Sequence, residues 1–436
     1  MEIAILLHLY QPITQSEDVF RKIYKESYGP LLRKIGKLKD FKISLDIPLS
    51  LLEQMDRYGY SDWISDVKEL VRLGKVELVG SAAYHPILPK LSESLIEQQI
   101  ILNEYGLGYY LGAHQSLEGE SAIMLKNVVG FFPPELAVDE EVVAVLDSLR
   151  YKWLIADETA IPGETGFGIQ KGKKYGIYRH KDYEAKLVVR NRAFSNMLSF
   201  KRDRDMSDIE HALRFAKTVG SNDDSSSGEE GRSFAIVLDG EFFGHHYDKG
   251  FFVLDGLVSL ARKMNVNIVT ISDYVENNVS EILSEVRPSS WGATDEEMAS
   301  GNVYPMWDVP DNEIHELQWE ILESLIALYN RDGAISGFEE YSVLPFWDSE
   351  GIKRIKNVVL KGKIAREILT QKSLNSDQFW WASKKNLPTG DYLYSPEMIK
   401  SGLQIFEHLI GMYNNPSVED AIKAKISAIH ELLDEE

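Results

Sequence analysis

What most constrains this chain is a rhythm: over its first two-thirds, short apolar runs alternate with longer amphipathic stretches. The run at residues 3–7 precedes a helical pattern over 18–38, which gives way to a second run at 41–45. An amphipathic stretch at 60–73 leads into 75–79, and runs at 153–156, 234–238 and 266–271 follow in the same style. Strands that alternate with helices along the sequence pair in parallel, with the helices as crossovers. The predicted fold class is therefore α/β, either a β/α barrel or a doubly wound sheet. Polar groups stand just after the runs: His8 and Gln11, Asp46, Glu135, Asp239 and Glu241. Active sites of β/α barrels gather at the C-terminal strand ends, so this placement favours a barrel with one central site.

From about Pro288 the rhythm stops. Ile314, Leu317, Ile321, Leu325 and Leu328 fall at helical spacing behind Asp311 or Asn312, either of which can cap the helix. Ser417-Val418-Glu419-Asp420 reads as a capping box ahead of Ile422, Ile426, Ile429 and Leu433. With 436 residues the chain exceeds one ordinary core. Two domains are expected, 1–280 in the strand–helix pattern and 281–436 all helical. The Ser-, Asp- and Gly-rich stretch 219–231 reads as a surface loop, and a candidate lid, ahead of the strand that delivers Asp239.

Composition narrows the partners. The net charge is −21 and no basic stripe interrupts it. Nucleic acid and anionic membranes both reward clustered Lys and Arg, so neither is an expected partner. Neutral ligands such as sugars remain. The absence of cysteine excludes disulfides and thiolate–zinc sites and fits a reducing, cytoplasmic compartment. The apolar run before His8 is too short for a signal peptide or a membrane span. No cofactor is called for, and the sequence leaves the oligomeric state open.

Two segments carry candidate chemistry. In Phe131-Phe132-Pro133-Pro134-Glu135, two prolines fix the backbone just before a carboxylate. That suits an acid that must be held in place, although a proline turn with an exposed Glu reads equally simply. In Leu238-Asp239-Gly240-Glu241-Phe242-Phe243-Gly244-His245-His246, an apolar run ends in two carboxylates two residues apart. Crowded acids push one pKa upward, as a general acid requires. A solvated turn is the plain alternative. His245 and His246 invite a metal reading, but adjacent histidines diverge on regular backbone. Glu77 sits in the apolar run 76–79, where an unpaired acid is costly. His85 lies in the rigid loop Tyr84-His85-Pro86-Ile87-Leu88-Pro89. Trp291, Trp307, Trp347, Trp380 and Trp381 are flat surfaces on which sugar rings stack, or simply core.

Together, the ordered segments resemble glycoside hydrolase family 57, the α-amylase and 4-α-glucanotransferase family. They are His8-Leu9-Tyr10-Gln11-Pro12, Lys75-Val76-Glu77-Leu78, the loop 84–89, Phe132-Pro133-Pro134-Glu135, Asp239-Gly240-Glu241, and Trp307-Asp308 with the helix start Asn312 to Trp319. The resemblance implies a seven-stranded β/α barrel with a helical domain behind it, acting on α-1,4-glucans with retention of configuration. It makes Glu135 the nucleophile and Asp239 the general acid/base, their carboxyls facing each other at roughly 5–7 Å with Glu135 ionised and Asp239 protonated. By the same carry-over His8, Tyr10, Gln11, Glu77, His85, Phe132, Glu241, His246, Trp291 and Trp381 would line the sugar site. Relatives often carry histidine where this chain has Tyr10 and tryptophan where it has Phe132.

Transfer to a second glucan, by a 4-α-glucanotransferase or branching enzyme, would use the same pair of acids. A non-catalytic glycan-binding protein and a scaffold are weaker rivals, since neither needs clustered strand-end carboxylates. A metal-dependent deacetylase or mannosidase-like enzyme would require Asp46, His85 and His245 to converge.

Overall fold

The computed structural model describes residues 1–112, 128–162, 176–201, 206–219, 233–332, 358–385 and 393–434. Val219, the first residue of the expected lid at 219–231, ends the helix Met206–Val219; the rest of that segment and Trp347 lie outside the described residues. The fold is mixed α/β. Its strands are β1 (Glu2–His8), β2 (Ile43–Asp46), β3 (Val76–Val79), β4 (Gly130–Phe131), β5 (Trp153–Ala156), β6 (Ile177–His180), β7 (Lys186–Val189), β8 (Phe234–Asp239), β9 (Asn267–Val269) and β10 (Glu281–Leu283). One sheet runs β3-β2-β1-β8 with β9 also on β1, and the other runs β10-β6-β7-β5-β4. Every pairing is parallel except β6 with β7. Single parallel bridges join the sheets at two places, Gly80 with Phe131 and Arg190 with Ala235.

Strand side chains alternate between faces, so residues two apart share one. Ala4 and Leu6 of β1 and Ala235 and Val237 of β8 lie in one buried cluster with Val79, Phe132, Trp153, Ile155 and Val188. The next step of two along each strand reaches His8 and Asp239, which are partners in the β1–β8 register. Ser44 leads to Asp46 on β2 in the same way. The polar strand ends thus continue the apolar series rather than interrupt it. The helix Ile271–Asn277 adds Ile271, Tyr274 and Val275 to the cluster, and its first backbone N–H donates to Ser44 Oγ at 2.9 Å.

The chain divides into two compact units, one of residues 1–11, 15–82 and 88–291, the other of 12–14, 83–87 and 292–436. The first unit runs on to Trp291 because the backbone of Ser289 pairs with Val138 and Trp291 N donates to the Glu135 carbonyl at 3.0 Å. Helices Glu313–Asp332, Val358–Ser373, Asp377–Trp380, Pro396–Ile410 and Pro416–Asp434 dominate the second unit. Asn312 caps the first of them, accepting from His315 N at 3.2 Å. His315 is buried in this unit with Nε2 2.8 Å from the Phe379 carbonyl, and burial pulls its pKa down to about 4. The last helix starts earlier than the Ser417 box implies. Pro416 occupies its first turn, where no N–H is needed, and Asn415 Oδ1 faces Val418 N at 3.5 Å. No helix among the described residues is long and apolar enough to cross a membrane.

One buried acid makes the fold pH-sensitive. Glu104, in the helix Glu93–Leu111, accepts a 2.6 Å hydrogen bond from Tyr151, and burial pushes its pKa from 4.5 up to about 7. A carboxyl raised on folding contributes stability that is fully present below pH 4.5 and lost as pH rises through 7. The shift corresponds to about 3 kcal/mol against the ionised form. Glu104→Gln, which cannot ionise, is expected to melt with the wild type at pH 4.5 and several degrees above it at pH 8. Thermal melts at both pH values check this.

Candidate active site

His8 forms the centre of the site. It closes β1 and is buried to 4% exposure. Its Nδ1 lies 2.6 Å from Oδ2 of Asp46, which closes β2 and is wholly buried. The other oxygen, Asp46 Oδ1, meets no partner among the described residues. Burial opposes a charged imidazole here. The hydrogen bond and charge of Asp46, with the charges of Asp239 and Glu241, outweigh it and raise the His8 pKa above its ordinary value. Burial also lifts Asp46, to about 6, against the pull of His8.

Aromatic rings fix the other sides of His8. Phe132 stacks on it with centroids 4.5 Å apart, Tyr10 stacks at 5.6 Å, and Trp291 approaches edge-on at 6.3 Å. Phe132 is fully buried and belongs to the core cluster, so it supports the histidine from within.

Glu135 follows β4 and Pro133-Pro134 with φ 59° and ψ 14°, a left-handed conformation uncommon outside glycine. Strain of this kind, about 1–3 kcal/mol, persists where the surroundings enforce it. Here Trp291 enforces it twice. Its backbone N–H binds the Glu135 carbonyl, and its Nε1 donates to Glu135 Oε2 at 2.7 Å. Trp291 is itself held by the Arg190 guanidinium, 5.5 Å from its ring centroid. Arg190 Nε in turn donates to Asp157 Oδ2 at 2.7 Å. Burial favours neutral Asp157, but Arg190 and Arg192 overcome it and hold the acid below its usual range.

Asp239 ends β8, half-buried beside His8. Its charge acts on His8, Glu241, Tyr28 and His246. Gly240 has no room for a side chain, since a Cβ there would lie 1.9 Å from Leu9 Cδ2. Glu241 is buried and accepts from Gln11 Nε2 at 2.8 Å and meets the Tyr28 hydroxyl. Burial, then the charge of Asp239, pushes its pKa up to about 7.

The structure therefore brings together His8, Tyr10, Gln11, Phe132, Glu135, Asp239, Glu241 and Trp291, with His246 exposed beside them. Glu77 is engaged elsewhere. It lies on the same face as Val79 but one step nearer the start of β3, accepting from Ser44 Oγ at 2.5 Å and Ser272 N at 3.3 Å. These bonds relieve the penalty its apolar run implies. His85 belongs to the second unit, where its Nδ1 lies 3.0 Å from Ser376 Oγ and its carbonyl accepts from Ser376 N. Trp381, in the same unit, packs against Trp380 with centroids 4.8 Å apart. Asp46, His85 and His245 do not form one set: they are taken up by His8, Ser376 and Glu26 respectively. Among the described residues no group of three or more His, Asp or Glu is placed to hold a metal ion. Tyr28, Asp157 and Arg190 are additions. Arg190 was open to the strand-end rule, since it follows β7, whereas nothing local marks Tyr28.

Residues 3–287 match the family model of glycosyl hydrolase family 57. An α-amylase of Pyrococcus horikoshii is 30% identical over 98 residues, 22% of this chain and 15% of that protein. A 4-α-glucanotransferase of Thermococcus litoralis is 26% identical over 106 residues, 24% of this chain and 16% of that protein. The chain thus covers only a small part of these relatives' own length. Among solved structures, a GH57 branching enzyme from Thermococcus kodakaraensis superposes with a TM-score of 0.65 at 15% identity, covering 97% of this chain and 94% of that one. An exo-type maltose-forming amylase from Pyrococcus sp. ST04 gives 0.66 at 14% identity, covering 97% and 82%. These superpositions show a shared fold. The chain belongs to glycosyl hydrolase family 57.

The Asp46–His8 pair is directly testable. Asp46→Asn removes the charge that holds the proton and is expected to lower the His8 imidazole pKa. Proton NMR titration of the His8 ring reads the shift, and an unmoved value would assign the charge to another neighbour.

Proposed function

We propose that this chain cleaves α-1,4-glucans with retention of configuration, Glu135 acting as nucleophile and Asp239 as general acid/base. The observation that carries the reading is the fixing of Glu135. Its strained backbone and its Oε2 are both held by Trp291, whose ring abuts His8, the register partner of Asp239. An attacking carboxylate needs such pre-set aim, and the Trp291 bond supplies it. Asp239, half-buried at a strand end, suits proton delivery to a glycosidic oxygen.

The same reading covers the architecture. We take the two bridges between the sheets as seams that close β1, β2, β3, β4, β5, β7 and β8 into a seven-stranded barrel. Residues 1–280, with the segment that continues to Trp291, would then carry the chemistry, and the remainder of 281–436 would form a helical domain. An α-glucan is the substrate this reading names, acted on in the cytoplasm. It is supported by the α-amylase and 4-α-glucanotransferase names of the relatives above. Once the glycosyl-enzyme has formed, Asp239 acts as base on the acceptor. Water gives hydrolysis, and a sugar hydroxyl gives transfer.

Incubation with maltoheptaose, followed by chromatography and anomeric NMR, tests the proposal. Shorter products released first as the α-anomer are expected, and a ladder extending above the substrate identifies transfer. Glu135→Gln should lose nearly all turnover. Asp239→Asn should lose about 10²–10⁴-fold on maltoheptaose and much less on α-maltosyl fluoride, whose leaving group departs without a proton. Full activity in either variant, or β-anomer released first, refutes the mechanism.

A further inference from the structure

A π-helical turn, Tyr24–Tyr28, interrupts the helix between Glu17–Ile23 and Gly29–Lys37. Such widened turns recur at functional positions. Three consecutive residues of this one grip the segment that follows Asp239. Glu26 Oε2 lies 2.6 Å from His245 Nδ1, Ser27 Oγ donates to the Gly240 carbonyl at 3.0 Å, and the Tyr28 hydroxyl meets Glu241 Oε1. Gly244, at φ +99°, sits so close that a Cβ would lie 2.2 Å from the Glu26 carbonyl oxygen.

Tyr28 has one hydroxyl hydrogen and faces two acceptors, the Tyr10 carbonyl at 3.0 Å and Glu241 Oε1. Gln11 Nε2 donates to both the Tyr28 hydroxyl, at 3.0 Å, and Glu241 Oε1, at 2.8 Å. Both Tyr28 contacts are hydrogen bonds only when Glu241 brings a proton of its own. Glu241 then donates to Tyr28, and Tyr28 donates to the Tyr10 carbonyl.

We propose that Glu241 is a positioning residue that works as a neutral carboxylic acid, its proton tying the Asp239 loop through Tyr28 to the backbone of Tyr10. The proposal rests on the reading of Asp239 as acid/base. In the second half of that cycle Asp239 is an anion awaiting a proton from the acceptor. A second anion two residues away in a buried pocket would oppose this state, and a neutral Glu241 does not. The groups facing Glu241 are Asp239 from β8, His8 from β1 with Asp46 behind it, Tyr28 from the π-helical turn and the uncharged Gln11. The His245 and His246 amides bind its backbone carbonyl. Burial favours the protonated form, and the Asp239 charge adds to it once Asp239 is ionised, so the tie is complete at low pH and released as pH rises through about 7.

The test uses the intact chain and two readouts. In infrared difference spectra between wild type and Glu241→Gln, a protonated-carboxyl band is expected at pH 6 that disappears towards pH 8. An absent band, or one unchanged at pH 8, overturns the proposal, and this readout needs no turnover. If maltoheptaose is not cleaved, the functional reading fails while the infrared result still decides this one. In pH profiles with maltoheptaose, Glu241→Gln carries the donor that Tyr28 needs. It is expected to lower kcat at pH 5.5 by about tenfold and to move the basic limb upward by about one unit. Glu241→Ala should lose at least about a further tenfold. Equal losses in the two variants would mean that an anion is required and would overturn the proposal. Tyr28→Phe, which keeps the ring packing, is expected to lower kcat about tenfold with KM changed less than about threefold. A KM effect alone would place Tyr28 on the sugar instead and overturn the tie.

Discussion

The 2.6 Å contact between His8 and Asp46 is the interaction on which the rest of the site depends. Both residues end strands of one sheet, and both continue the inward series that the core cluster begins. A carboxylate so deeply buried is tolerable only with a partner, and the imidazole supplies it. The pair leaves His8 no freedom to turn. Phe132 and Tyr10 can then stack on its faces, and Trp291 can meet its edge. From Trp291 the order passes to Glu135 on one side and to Arg190 and Asp157 on the other.

Charge is the second constraint. Asp46, Asp239 and Glu241 all act on His8. Three anions around one imidazolium in buried surroundings would be strongly unfavourable. The environment sorts them instead. Arg190 is committed to Asp157, which stays ionised, so its charge reaches the site only through the Trp291 face. Glu241 and Asp46 are both raised, by burial first in each case. The proton held at Glu241 lowers the anionic load beside Asp239. The protein thus spends little positive charge in the cleft, which suits a neutral substrate, since excess cations would only attract competing anions.

What the sequence disclosed follows from how local each cause is. β1, β2, β3, β5 and β8 are apolar runs whose side-chain period is visible in a handful of residues. Their polar ends, His8, Asp46 and Asp239, stand out for the same reason. β4 is two residues long, and β6 and β7 are short and antiparallel, so neither length nor rhythm announces them. Family resemblance supplied Glu135 and Trp291 as site residues, and the bond between them appears only in three dimensions. Glu77 shows the opposite failure. Its place in an apolar run signals a special environment, yet the partners that provide it, Ser44 and Ser272, come from other strands and helices. Tyr28 was illegible because its role depends on a widened helical turn, and a turn of that kind has no reliable residue signature.

The backbone at Glu135 shows why the fold and the chemistry are hard to separate. A left-handed glutamate following two prolines is an unfavourable local choice. Its compensation arrives from residue 291, at the far end of the first unit, as two hydrogen bonds from a single tryptophan. Those bonds accompany the pairing of Ser289 with Val138, which brings Trp291 to Glu135. A glutamate in ordinary helical or extended backbone would aim its carboxylate elsewhere, and Trp291 Nε1 would lose its acceptor. Strain, tryptophan and closure therefore stand or fall together, and the orientation of one carboxylate is set by the completion of the whole unit.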